Sequence, residues 1–280
     1  MKRTQEHDMS YACNAAWDFR RGDLRRIEGA LQAASDLCKN FICDMVQAES
    51  KAGGELVTVV DRAVDELLRE MLPRDGEGWL SEETPDDWCR LASRRVWVVD
   101  PLDGTKEFLR GIPEWCVSVA LVEDEEAVAG GICNPATGEM FIGSREIGIR
   151  YWPRNHQSLG SSLRGKPVVL ASRSEVARGE WDWLKEAPLE VRTVGSIAYK
   201  LALVAVGRAE ATWTFVPKNE WDIAAGVALV EAGGGTVKGL DGQSMTFNQL
   251  ETGRDGLIAF SADGQNHLSR ALGSWLSGRS

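Results

Sequence analysis

Histidine is nearly absent from this 280-residue chain: only His7, His156 and His267 occur. They fall in a polar N-terminal stretch, a Gly/Ser/Asn-rich span and a C-terminal helical pattern, which argues against a histidine-based nucleophilic triad. The six cysteines (Cys13, Cys38, Cys43, Cys89, Cys116, Cys133) include no C-x-x-C pair. Reduced thiols are expected rather than disulfides or a zinc site, with Cys38, Cys116 and Cys133 serving as small core residues. No apolar run approaches a membrane span, and no apolar h-region follows the charged start, so a cytoplasmic protein without membrane contact is expected. A formal charge of −10 with no basic stripe argues against polymeric nucleic acid as a partner. It leaves room for a small anion, provided the fold supplies a local positive device. Neither a G-x-x-x-x-G-K-[ST] loop nor a G-x-S-x-G elbow is present.

What the chain does have is an ordinary globular balance, 43% apolar and 26% charged, and length enough for a large core. Residues 1–22 are polar and irregular and read as a peripheral extension. From Leu24 an apolar helical period runs through Ile27, Leu31, Ala34, Cys38, Phe41, Ile42 and Met45, broken at Lys51–Gly54. A short β-branched run, 56–60, precedes a second helix carrying Val64, Leu67, Leu68 and Met71, with Thr58 and Asp61 spaced as a capping box. Strands are expected at 95–99, 115–122, 126–133, 139–143 and 147–151, the acidic run 123–126 forming a hairpin tip. The span 153–165 is the expected boundary. Beyond it, strands 167–171, 190–194, 210–215, 235–239 and 256–261 alternate with helices 175–186, 197–206, 221–232 and 267–276. The fold class is therefore α/β. Residues 23–155 form an α+β half that carries a metal site, and 156–280 an α/β half that completes it.

The chemistry concentrates in RRVWVVDPLDGTKEFLRG, residues 94–111. An apolar strand, Val96–Val99, ends in Asp100 and Asp103. Pro101 holds Asp100 extended, so both carboxylates can face one cavity with the Leu102 carbonyl between them. Such hard oxygen donors suit Mg2+. Gly104-Thr105 follows, where backbone N–H groups can approach a phosphate. Three further acids stand at strand ends or helix starts: Asp61, Glu82 of WLSEET, and Asp222 of NEWDIAAG. Each can be read singly as a turn or helix-capping acid. Together they occupy the positions where α/β proteins gather ligands, and metal-assisted hydrolysis of a phosphate ester needs both halves of the arrangement.

WVVDPLDGTKEF together with EWDIAAGVALVEAGGGTV resembles the inositol monophosphatase superfamily of Mg2+-dependent, lithium-sensitive phosphatases, from about residue 24 to the C terminus. The resemblance implies a layered αβαβα fold, two or three Mg2+ per active site, and a homodimer. It implies Glu82, Asp100, the Leu102 carbonyl and Asp103 as metal ligands, with Asp222 on the second metal. Asp61 with Thr105 would orient and deprotonate the attacking water, and the Gly104 and Thr105 amides would cradle the phosphate. Lys106-Glu107-Phe108 and Ser172 of ASRS are similar to the 3'(2'),5'-bisphosphate nucleotidase branch, and VGSIAYK places Gly195 and Ser196 in the substrate pocket. Phe215 stands where the inositol enzymes carry a glutamate. Against the nucleotidases, Thr214 replaces an arginine and Glu175 a histidine, leaving Lys218 as the nearest cation. The expected reaction is removal of the 3'-phosphate from 3'-phosphoadenosine 5'-phosphate to give AMP. Inositol 1-phosphate, histidinol phosphate and sugar phosphates are the alternative small phosphorylated substrates. A catalytically silent homologue is the remaining alternative, against which stands the presence of every implied acid and of Thr105.

Overall fold

The computed structural model describes residues 2–40, 49–50, 56–57, 59–153 and 165–277. Its first half comprises α1 (Lys2–Lys39), a two-residue antiparallel pair β1 (Glu49–Ser50) and β2 (Leu56–Val57), and α2 (Val59–Met71). These are followed by β3 (Glu77–Ser81), β4 (Arg95–Asp103), the one-turn α3 (Thr105–Leu109), β5 (Cys116–Glu123), β6 (Glu126–Asn134), β7 (Glu139–Ser144) and β8 (Gly148–Trp152). Strands β3 to β8 form a six-stranded sheet in sequence order, in which β3 and β4 are parallel and the other neighbours antiparallel. The second half carries β9 (Val168–Ala171), α4 (Arg173–Ala177), β10 (Glu190–Thr193), α5 (Ile197–Ala205), β11 (Ala211–Thr214) and β12 (Lys218–Asn219). Then come α6 (Glu220–Ala232), β13 (Thr236–Gly239), β14 (Gly253–Arg254), β15 (Leu257–Phe260) and α7 (Gly264–Ser277). Five of these strands make a second sheet, ordered β10-β9-β11-β15-β13.

Strand parity explains both the apolar runs and the layering. In β4, Val96 and Val98 enter a core shared with α5 and α6, whereas Trp97 and Val99 enter the core beneath α1 and α2. In β9, Val168 and Leu170 face α5 and α6, and Val169 and Ala171 face the outer layer with Leu268 of α7. A strand buried on both faces has no polar position to alternate with. The helix pair α5 and α6 therefore lies between the two sheets, giving the layered αβαβα architecture. Every residue of α5 is buried. No helix among the described residues is long and apolar enough to cross a membrane.

Several boundaries differ from the sequence reading. Helix α1 begins at Lys2 rather than near Leu24, so residues 2–22 are helical instead of irregular. Alanine, arginine, glutamine and glutamate are strong helix formers, and Arg20 ties this segment to Asp23 and to Glu123 of β5. Val59 and Val60 open α2 instead of ending a strand. The expected helix 175–186 is divided into α4 and a 3-10 turn at Asp182–Leu184, because Gly179 adopts a positive φ of 79° after the first turn. Strand β3 was not expected, since Gly78 reads as a breaker. The acidic hairpin tip is confirmed, with Asp124 and Glu125 both at positive φ. Thr58, the continuation of the first helix through Phe41, Ile42 and Met45, the break at 51–54 and the boundary residues 154–164 lie outside the described residues.

Candidate active site

Three carboxylates from three elements converge. Asp100 belongs to the same parity of β4 as Val96 and Val98, and a register shift between Asp100 and Asp103 redirects the strand as it passes Pro101. The parallel pairing of Ser81 with Val99 leaves Glu82 at the adjoining end of β3, its N–H donating to the Val99 carbonyl at 3.3 Å. Asp222 comes from the first turn of α6, where one oxygen accepts the Asn219 N–H at 2.8 Å. The helix-capping and ligand readings of Asp222 are thus compatible, because capping occupies one oxygen. Glu82, Asp100 and Asp222 each offer an oxygen within 4.8 Å of the other two.

Their electrostatics are those of a site built for positive charge. Asp100 is 1% exposed. Its Oδ1 accepts the Leu102 N–H at 2.9 Å, while Oδ2 is buried without a hydrogen-bond partner among the described residues. Burial first, then repulsion from Glu82, Asp103 and Asp222, pushes the Asp100 carboxyl well above the usual carboxylate range. A buried, unpaired carboxylate oxygen facing two more acids is costly for a protein alone. It fits a hard divalent cation, which takes oxygen ligands of this kind.

The rest of DPLDGT surrounds this group. Asp103 lies outside the three-acid set: its Oδ2 accepts the Ser196 hydroxyl at 2.6 Å and the Ala198 N–H at 2.7 Å, at the start of α5. Burial raises its pKa, and these two hydrogen bonds oppose the rise. The Ser196 hydroxyl also accepts the Tyr199 N–H, so it caps α5 while holding Asp103. The Leu102 carbonyl accepts the Thr105 hydroxyl at 3.1 Å. Gly104 sits between them at φ 98°, a conformation that glycine adopts without strain, and opens α3. Asp61 is buried in the first turn of α2.

A cavity of about 480 Å³ adjoins the acids. Asp103, Gly104, Lys106, Asp222, Ser172, Gly195 and Ser196 are among the residues that line it. Asp61, Leu102 and Thr105 do not line it, and Phe215, 59% exposed, lies outside the lining. Arg173 also lines the cavity, but its guanidinium is taken by Glu114, which accepts the Gly195 N–H as well.

The sequence reading missed the most informative cation. Lys200 lines the cavity although only 3% of it is exposed. Burial lowers its pKa to about 8, and the strongest opposing attraction comes from Glu175. Glu175 is itself engaged by Thr214 at 2.5 Å and by Trp181 at 3.2 Å. Lys218 is close enough to repel Lys200 and lines the same cavity, so it is no mere surface lysine. The cavity is therefore lined both by acids, among them Asp103 and Asp222, and by three ammonium groups, those of Lys106, Lys200 and Lys218.

Residues 25–271 match the model of the inositol monophosphatase family. An inositol-1-monophosphatase of Mesorhizobium japonicum is 34% identical over 233 residues, covering 79% of this chain and 87% of its own. The 3'(2'),5'-bisphosphate nucleotidase CysQ of Escherichia coli K12 is 31% identical over 214 residues, covering 72% of this chain and 84% of its own. The crystal structure of CysQ from Bacteroides thetaiotaomicron, a bacterial member of the same family, superposes with a TM-score of 0.73 at 25% identity, over 86% of this chain and 97% of that one. By sequence and by fold, the chain belongs to the inositol monophosphatase family of phosphatases.

Proposed function

We propose that the protein is a Mg2+-dependent phosphomonoesterase whose substrate carries a second phosphate, and that it removes the 3'-phosphate of 3'-phosphoadenosine 5'-phosphate to give AMP. The observation that carries the substrate choice is Lys200, a buried ammonium beside Lys218 on the wall of the cavity. Glu175 gives Lys200 its strongest attraction within the fold, and with Lys218 on the same wall the pair carries positive charge that a second phosphate would answer. A polyol with a single phosphate would offer the pair only neutral hydroxyl acceptors.

In this reading Glu82, Asp100, the Leu102 carbonyl and Asp103 hold Mg2+, with Asp222 serving a second ion. Bound there, Mg2+ would polarise the phosphoryl oxygens and offset charge on the departing alkoxide. The Gly104 and Thr105 amides receive the phosphate, while Lys106, Ser172, Gly195 and Ser196 bound the substrate. The Thr105 hydroxyl donates a hydrogen bond to the Leu102 carbonyl, which leaves its oxygen to accept from the attacking water; Asp61 would take up that water's proton. The water oxygen attacks phosphorus in line, the P–O ester bond breaks, the leaving alkoxide takes a proton from solvent water, and Asp61 returns its proton to solvent. Lithium inhibition belongs to the same proposal.

Hydrolysis of inositol 1-phosphate is the second reading, favoured by the inositol-1-monophosphatase of Mesorhizobium japonicum at 34% identity. Phosphate release with Mg2+ from the two substrates side by side separates the readings. A kcat/KM at least about tenfold higher for the bisphosphate nucleotide is expected. The opposite preference would give the site to inositol phosphate. Turnover of neither would revive the catalytically silent homologue.

A further inference from the structure

Helix α2 carries two buried acids one turn apart, Asp61 and Asp65. Asp65 lines no part of the substrate cavity, yet it is only 7% exposed. Both of its oxygens are engaged by hydroxyl groups. The Ser81 hydroxyl donates to Oδ1 at 2.5 Å and the Thr84 hydroxyl to Oδ2 at 2.6 Å. Ser81 ends β3, and the two residues bracketed by these contacts are Glu82 and Glu83. The same two hydroxyls are themselves fixed: Ser81 Oγ accepts the Glu83 N–H at 3.3 Å, and Thr84 Oγ1 accepts the Trp79 indole N–H at 3.4 Å.

We propose that Asp65 is a positioning residue, which pins the Ser81–Thr84 turn to α2 and thereby holds the Glu82 carboxylate at the distance from Asp100 and Asp222 that a metal requires. This inference rests on the reading of Glu82 as a metal ligand. Strand β3 is the edge strand of its sheet and, among the described residues, pairs only with β4. Past Ser81 the ladder contributes one more bond, the 3.3 Å contact from Glu82 to Val99, which is a long one. Hydrogen bonds to an ionised carboxylate are shorter and about twice as strong as neutral ones. The two Asp65 contacts therefore restrain the turn that carries Glu82 from both of its ends. They also tie the turn that carries Glu82 to the helix that carries Asp61.

The test is Mn2+ binding to the full chain without substrate, followed by the electron paramagnetic resonance of free Mn2+. Removing a partner that orients a ligand costs about 10–100-fold in metal affinity, and we expect at least about tenfold weaker Mn2+ binding for Asp65→Ala. Asp65→Asn, which keeps the shape and one acceptor, should fall between. Ser81→Ala combined with Thr84→Val should reproduce the loss and add little on top of Asp65→Ala. Turnover of Asp65→Asn at saturating Mg2+ should return to within about threefold of the parent, the deficit lying in the Mg2+ concentration needed. A lower melting temperature with unchanged Mn2+ affinity in both Asp65 variants would overturn the proposal, leaving Asp65 a structural residue. Glu82→Gln is the companion control. If it weakens Mn2+ binding while the Asp65 variants do not, only the positioning role fails; if Glu82→Gln binds Mn2+ normally, the ligand reading fails and the positioning role with it.

Discussion

Replacing Asp100 by asparagine is expected to abolish turnover and, in the absence of metal, to make the protein more stable. Both effects have one cause. Asp100 is buried, one of its oxygens lacks a hydrogen-bond partner among the described residues, and Glu82, Asp103 and Asp222 all repel its charge. Without a cation that charge is only a cost; with one it is a ligand. Metal stabilisation of a phosphoryl transition state is worth several kcal/mol, and about 4 kcal/mol corresponds to roughly 10³-fold in rate. Asp100→Asn should therefore lose at least about 10³-fold in kcat/KM.

The stability effect has a definite sign in pH. A carboxyl whose folded pKa is raised favours folding below its unfolded value of about 3.9, and that contribution is lost as pH rises through the folded pKa. The metal-free parent should therefore lose stability as pH climbs above about 4, and Asp100→Asn should lose less. In chelator at pH 8 the variant should melt higher by about 2–4 °C for each kcal/mol of relieved strain. Added Mg2+ should stabilise the parent more at pH 8 than at pH 5. An Asp100→Asn protein that melts lower than the parent in chelator would show that burial and repulsion of this charge are not what the fold resists.

Lys200→Met is expected to discriminate between substrates. Methionine keeps the length and removes the charge; the relieved burial of the ammonium is offset by the loss of the cation that attracts buried Glu175, so the melting temperature should hold or fall. A hydrogen bond to a charged group contributes about 1.5–3 kcal/mol, so kcat/KM for 3'-phosphoadenosine 5'-phosphate should fall about 10–100-fold. Hydrolysis of inositol 1-phosphate or of a simple monophosphate should change by less than about threefold. The pH profile carries a second signature. A pKa lowered to about 8 means that Lys200 is charged below that pH in the free enzyme and neutral above it. Because kcat/KM reports the free enzyme, the bisphosphate profile should descend above about pH 8, and Lys200→Met should lose that descending limb. An equal loss on every substrate would make Lys200 part of the general machinery and remove its support for a second phosphate.

What could be read from the sequence divides along physical lines. The run Val96–Val99 ending in Asp100 announced a buried strand delivering an acid, because no turn needs a carboxylate directly after four apolar residues. Asp222 could be placed at a helix start, where a carboxylate that accepts the Asn219 N–H can also face Glu82 and Asp100. Glu82 was legible as an acid, but the strand that delivers it was not. Gly78 reads as a breaker, and only pairing with β4 makes a strand of Glu77–Ser81. Lys200 was hidden by its context: a lysine in Ile197–Ala205 reads as the solvent side of an amphipathic helix, whereas α5 lies between two sheets and has no solvent side. Asp65 was invisible for a related reason. Its partners Ser81 and Thr84 are 16 and 19 residues away, and no local periodicity relates them. The helix expected at 175–186 failed where local pattern met a glycine at positive φ.

The measurement that bears most directly on the account is the anomalous difference density of Mn2+ in crystals of the protein. A peak is expected among the carboxylates of Glu82, Asp100 and Asp222, bonded to Asp100 Oδ2, the oxygen that has no hydrogen-bond partner among the described residues. Mn2+ bound elsewhere, with those three acids unliganded, would contradict it and take the proposed hydrolytic mechanism away from this site.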